Sequence, residues 1–234
     1  MTVDMRLLTI WSRVQSCAWV AALGCFAFVD GGASSSVYVV VGLGVSLVTL
    51  GVVLSVPRTV ADFVTAARAV ALVAGFAGPL WSGELTWWAW LVLALAVTLD
   101  LVDGWFARRF GATARGAVFD MECDQLCVLA LSLLVVAGGG SPHVLALPAM
   151  RYAFVLAAWA VGIEANDPKP VEGDNRRGRL VCAAVVIALL AATTPVTPAL
   201  AVDLLTGVAT ALLAWSFAGD WAFLFARRRA EVRP

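Results

Sequence analysis

Apolar positions in this chain gather in long unbroken runs, not in the alternating or single-stripe patterns of half-buried strands and helices. The runs cover about residues 14–30, 37–56, 60–81, 85–107, 117–136, 143–163, 180–194 and 199–226. A helix needs roughly 20 apolar residues to cross the hydrocarbon core of a bilayer. The pattern therefore predicts an all-α polytopic membrane protein with about eight transmembrane helices. The run at 180–194 is short and borrows the turn before it. For the first run a signal peptide, cut near Ala33-Ser34-Ser35, is the alternative reading.

Polar residues between the runs sharpen this picture. Arg6 and Arg13 precede the first run, and Arg58 and Arg68 lie between or just inside the second and third. Arg108, Arg109 and Arg115 fall between the fourth and fifth, and Lys169, Arg176, Arg177 and Arg179 between the sixth and seventh. Arg227, Arg228, Arg229 and Arg233 follow the last. The alternate connections, 31–36, 82–84, 137–142 and 195–198, contain no Lys or Arg. This asymmetry predicts that both termini face the cytoplasm. Only Arg151 is read as lying inside a span. The Trp residues at 81, 87, 88 and 90 are expected in a belt at the outer interface.

Composition agrees and excludes other classes. The chain is 62% hydrophobic and 14% charged, against about 45–50% and about 25% for soluble domains. An ordinary soluble fold, a disordered chain and a nucleic-acid binder with a basic surface are thereby set aside. The net charge is zero, so the total points to no electrostatic partner. The five cysteines lie in apolar runs without a CxxC pair, and they read as small buried residues. His143 stands alone at an outer boundary and is assigned no chemistry.

Carboxylates carry the candidate chemistry. Asp100 and Asp103 are i, i+3 at the cytoplasmic end of the fourth run, and Asp120 and Asp124 are i, i+4 at the start of the fifth. Each pair shares a helix face, and a short turn makes the two helices antiparallel neighbours. Four carboxylates are thus expected to converge just below the inner headgroups. Unpaired anions there repel one another and resist desolvation. Hard divalent cations, Mg²⁺ or Mn²⁺, resolve that conflict. Two such ions can clamp the oxygens of an in-line phosphoryl displacement. Gly104 and Gly116 permit close approach to the backbone, and Arg108 suits a phosphate.

This stretch resembles the signature of the CDP-alcohol phosphotransferases, DxxDGxxAR…GxxxDxxxD. Asp100, Asp103, Gly104, Ala107, Arg108, Gly116, Asp120 and Asp124 fill all its fixed positions. Seven residues separate Arg108 from Gly116, where eight is commoner. Glu122 stands where a small or apolar residue is frequent, and it is read as an ion-pair partner for an arginine. Upstream, Thr65 and Arg68 match a Pro-Asn-x-x-Thr-x-x-Arg element, while Ala61 and Asp62 replace its Pro-Asn.

The resemblance implies a six-helix catalytic membrane domain over 57–234, preceded by a two-helix extension over 1–56. It implies a phosphatidyltransferase of phospholipid biosynthesis that uses CDP-diacylglycerol, a polar alcohol acceptor and two divalent ions, and releases CMP. Asp100, Asp103, Asp120 and Asp124 would hold the metals, with Asp124 also the general base. Thr65, Arg68, Gly104, Ala107, Arg108 and Gly116 would line the nucleotide pocket. A bacterial cytoplasmic membrane, surrounding lipid and a homodimer are further family expectations. The acceptor is left open among glycerol phosphate, inositol phosphate, serine and other headgroup alcohols. For Arg151 the alternatives are an acceptor phosphate or an acidic partner, Asp220 or Glu122. Arg176, Arg177 and Arg179 are read as inside-positive anchors or an anion grip, and Asp203 and Asp220 as interfacial.

Two rivals use similar residues. An intramembrane prenyltransferase carries two Asp-rich motifs in separate halves of the chain, whereas only 20 positions separate Asp100 from Asp120. A cation transporter would use the carboxylates as an ion site, but the chain halves show no repeat of the kind many transporters have.

Overall fold

The computed structural model describes residues 5–28, 33–55, 59–82, 84–110, 113–162 and 175–232. Side chains are described over the same stretches except 5–6, 24–28, 33–38, 80–81, 101–108, 110, 114, 175–176, 224–225 and 227–232. The described residues form eight α-helices and no strand. These are α1 (Met5–Phe28), α2 (Ala33–Leu54), α3 (Val60–Ser82), α4 (Trp87–Phe110), α5 (Ala114–Ala137), α6 (Ala146–Ala160), α7 (Asn175–Ala192) and α8 (Ala199–Val232). A 3-10 turn, Pro142–Leu145, leads into α6.

Each apolar run thus becomes one helix. α7 starts at Asn175, five residues ahead of its apolar run, and so reaches a useful length. α1 starts well before its run, and Ala33-Ser34-Ser35 falls in the first turn of α2. Among the described residues, Val60–Pro79, Pro142–Ala160 and Ala199–Phe223 are long and apolar enough to cross a membrane. Val39–Leu54 and Trp87–Asp100 are shorter apolar stretches.

α5 is the central helix, touching α2, α3, α6 and α7. Leu126 and every residue from Val128 to Val135 are buried, so this segment is enclosed on all sides. It ends in a glycine turn. Gly139 adopts φ +87°, the Gly140 N–H donates to Val135 O at 2.8 Å and the Gly139 N–H to Val136 O at 3.0 Å. That pair of bonds is the Schellman cap, which satisfies the last carbonyls of the helix.

Outer helices show the opposite pattern. On α8, Leu200, Leu204, Val208, Leu212 and Trp215 are exposed at helical spacing, and on α2 so are Val41, Val45, Val48 and Val52. In a bilayer such faces meet acyl chains, which solvate them as well as the interior does. Exposed apolar stripes outside and an enclosed helix inside describe a membrane bundle.

α1 and α2 are part of this bundle. α1 packs on α6, and α2 packs on α3 and α5. Trp19, Leu23, Val39 and Leu43 join the same core as Phe76, Leu93 and Leu129. At the α3–α4 contact, the α-carbon of Gly75 lies so close to Val92 and Leu93 that a Cβ would meet both at 3.1 Å. Of the expected aromatic belt, Trp87 and Trp88 are exposed. Trp90 has a further role: its indole N–H donates to Leu190 O at 3.0 Å and ties α4 to α7.

Candidate metal and nucleotide site

The site is built on the ends of three helices, beginning with the first turn of α3. The Thr59 N–H donates to Asp62 Oδ2 at 3.0 Å, and the Asp62 N–H donates to Thr59 Oγ1 at 3.2 Å. This reciprocal cap satisfies two donors that a helix start leaves free. It also fixes the carboxylate of Asp62, whose residue is only 2% exposed.

α5 starts against that carboxylate. Thr113 caps it, accepting from the Gly116 N–H at 2.9 Å. A Cβ on Gly116 would lie 2.5 Å from Asp62 Oδ1 and 3.0 Å from Thr113 Oγ1. Gly116 is therefore the position that lets the starts of α3 and α5 meet. Gly116→Ala is expected to cost about 1–3 kcal/mol by overpacking, read as a lower melting temperature of the purified protein. An unchanged melting temperature would contradict the contact.

Two turns further along α3, Arg68 enters the carboxylate cluster. Its Nη1 binds Asp100 Oδ1, and its Nη2 lies 2.8 Å from Asp120 Oδ1 and 3.0 Å from Asp124 Oδ1. The Arg68 side chain is 7% exposed, while those of Asp100, Asp120 and Asp124 are 44%, 40% and 30% exposed. One buried guanidinium thus gathers three half-open carboxylates from α4 and α5. A planar fork with several donors is suited to that task. Arg68 lies well within α3, which corrects the expectation that Arg151 is the single arginine inside a span.

Asp100, Asp120 and Asp124 each offer one oxygen within 4.8 Å of the others. All donors are hard, anionic oxygens that remain reachable from outside, so the residues present fit a hard divalent cation. Such an ion would supply charge neutralisation to a bound pyrophosphate. Three of the four expected carboxylates are brought together. The side chains of Asp103, Gly104, Ala107 and Arg108 lie outside the described residues, although all four belong to α4. Thr65 is 4% exposed, and its hydroxyl donates to Ala61 O at 3.1 Å on its own helix.

The remaining charges pair around this centre. Arg151 of α6 binds Glu122 at 3.3 Å, one of the two acidic partners expected for it. Asp220 binds Arg177 at 3.2 Å, and Arg177 also stacks over Trp215 at 5.4 Å. A Cβ on Gly219 would lie 2.5 Å from the Arg177 guanidinium, so the arginine head lies directly against the α8 backbone there. Arg179 is exposed. His143 Nε2 lies 3.1 Å from Thr206 Oγ1, linking the 3-10 turn to α8. Among the described residues Cys123 is buried and Cys127 and Cys182 are partly buried, whereas Cys17 is exposed, which corrects the expectation that it is a buried residue.

Residue types alone reveal neither Arg68 as the hub of the carboxylates nor the contact of Asp62 with Gly116. The signal for the first was present: an arginine two turns into an apolar helix needs anionic partners, and no acid lies three or four positions from it.

Fold and site together define a membrane-embedded helical bundle with a carboxylate cluster, able to hold a cation, between α3, α4 and α5. A family model for CDP-alcohol phosphatidyltransferase matches residues 58–223, more than two thirds of the chain. The chain belongs to this family, a family of phosphotransferases that use CDP-alcohol donors and alcohol acceptors. The match begins at α3 and leaves α1 and α2 outside it. No curated protein and no solved structure matches the chain.

Proposed function

We propose that the protein transfers the phosphatidyl group of CDP-diacylglycerol to a polar alcohol and releases CMP. The observation that carries this reading is the convergence of Asp100, Asp120 and Asp124 on one buried guanidinium within the matched family region. Asp100, Asp103, Asp120 and Asp124 would hold Mg²⁺ or Mn²⁺, which would neutralise charge on the pyrophosphate of the donor. Gly104, Ala107, Arg108 and Gly116 line the nucleotide pocket, with Thr65 and Arg68 supporting it from α3.

Asp124 takes the proton of the acceptor hydroxyl. The acceptor oxygen then bonds to the lipid-side phosphorus, and the phosphorus–oxygen bond to CMP breaks as CMP leaves with the electron pair. A carboxylate that remains 30% exposed can both reach a hydroxyl and return its proton to water. The acyl tails lie against the apolar helices, where surrounding lipid also packs.

Basic residues at the start of α7, Arg176, Arg177 and Arg179, favour a phosphorylated acceptor such as glycerol phosphate or inositol phosphate over serine. A panel of acceptors offered to purified protein with CDP-diacylglycerol, followed by CMP release, tests this. Faster release with a phosphorylated acceptor supports the reading, and release with serine alone contradicts it. A prenyltransferase or a cation transporter would release no CMP in any arm.

The catalytic unit in this proposal is 57–234, with 1–56 an added pair of helices, and the enzyme works as a homodimer in a bacterial cytoplasmic membrane. Both termini and the carboxylate cluster face the cytoplasm, as the placement of Lys and Arg favours. In a cysteine-free background in intact cells, an impermeant thiol reagent is expected to label Ser141→Cys but not Ala112→Cys. The reverse pattern would overturn the orientation.

A further inference from the structure

Glu122 sits between two site carboxylates yet joins neither. It is two residues from Asp120 and two from Asp124, so at about 100° per residue it points to the far side of α5. There its side chain is 6% exposed and meets Arg151 of α6, itself 10% exposed, at 3.3 Å. Arg151 Nη2 also lies 4.0 Å from Met121 Sδ. α5 therefore carries an ion cluster on each of two opposite sides at one level: Asp120 and Asp124 toward Arg68, and Glu122 toward Arg151.

A helix held only by apolar packing at this level could turn with little penalty, because apolar contacts are not directional. Here any rotation that takes Asp120 and Asp124 off Arg68 also pulls Glu122 from Arg151. It leaves a charge unpaired in a buried apolar setting, which is strongly unfavourable. The start of α5 is already fixed by the Thr113 cap and by Gly116 against Asp62, so the Glu122–Arg151 pair adds a second fixed point along the helix.

We propose that Glu122 and Arg151 are positioning residues that fix the rotation of α5 and so hold Asp120 and Asp124 in place to bind the metal. This rests on the proposed metal-dependent transfer for its purpose, but its test needs no lipid substrate. Mn²⁺ binding to detergent-purified protein is followed by the loss of the free Mn²⁺ electron paramagnetic resonance signal, with a melting curve to establish folding. The double variant Glu122→Gln, Arg151→Gln removes both charges of this pair together. It is expected to fold and to bind Mn²⁺ about tenfold more weakly than the natural protein, the scale seen when groups that orient metal ligands are lost. Arg151→Lys, which keeps the charge, is expected to bind close to the natural affinity.

A folded double variant with undiminished Mn²⁺ affinity overturns the proposal. So does Arg151→Lys binding as weakly as the double variant, or a double variant that does not fold, since the pair would then serve folding and not orientation. A protein that binds Mn²⁺ but releases no CMP from CDP-diacylglycerol would sink the proposed function and leave this inference standing.

Discussion

Asp124→Asn is expected to abolish CMP release from CDP-diacylglycerol while the protein still inserts and folds. Asparagine keeps the shape of the side chain, so packing on α5 is preserved. What is lost is the anionic charge, and with it both assigned tasks. An amide is a weaker ligand for a hard cation than a carboxylate, and it does not accept a proton near neutral pH. Loss of general-base action alone is worth about 10²–10⁴-fold, and the weakened metal site adds to it. Asp124 is the least exposed of the three clustered carboxylates, with its Oδ1 3.0 Å from Arg68. The measurement is initial CMP release at saturating divalent ion. Turnover near that of the natural protein would remove Asp124 from the role assigned to it.

Arg68→Met is expected to lower stability without metal and to make the variant depend on divalent ion for its fold. Arg68 is the shared cation of Asp100, Asp120 and Asp124, and methionine replaces its stem but not its charge. Three carboxylates with oxygens within 4.8 Å would then face one another directly. Breaking a buried ion pair costs about 3–5 kcal/mol, and partial exposure of these carboxylates brings the expected cost to about 3 kcal/mol. For a chain of this size that is about 6–12 °C in melting temperature. Mn²⁺ supplies the missing positive charge, so it should raise the melting temperature of the variant more than that of the natural protein. Equal shifts in the two proteins would show that Arg68 does not neutralise the cluster.

Much of the fold is legible in the sequence because the bilayer imposes a simple rule. A spanning segment must be apolar and must satisfy its own backbone. Eight apolar runs therefore became eight helices, and α7 differed only in borrowing Asn175 and the arginines after it. The glycines at 138–140 are equally direct, since a left-handed turn at Gly139 ends α5. Packing order is less legible. Nothing in a uniformly apolar run says that α5 is central or that α1 lies on α6, because every face is apolar enough to be buried.

The site was legible in its clustered carboxylates and not in its counterions. Asp100, Asp120 and Asp124 are marked by helical spacing and by a short connection. Arg68 reaches them from α3, 32 to 56 positions away in the chain, a distance that no local pattern encodes. Asp62 replaces Asn in the upstream element, and its contact with Gly116 is not legible there because it depends on how closely two helix ends approach. Glu122 was recognisable as facing away from Asp120 and Asp124, and the structure supplies its partner, Arg151.

In the proposed reaction this carboxylate cluster performs metal-dependent transfer from CDP-diacylglycerol. Its most direct test is CMP release by the purified protein with CDP-diacylglycerol and acceptor, first with divalent ions removed by chelator and then with Mn²⁺ or Mg²⁺ restored. Release that stops on chelation and returns with the added ion is the predicted result. Release that persists without divalent ion, or is absent in its presence with every acceptor, would overturn the proposed function.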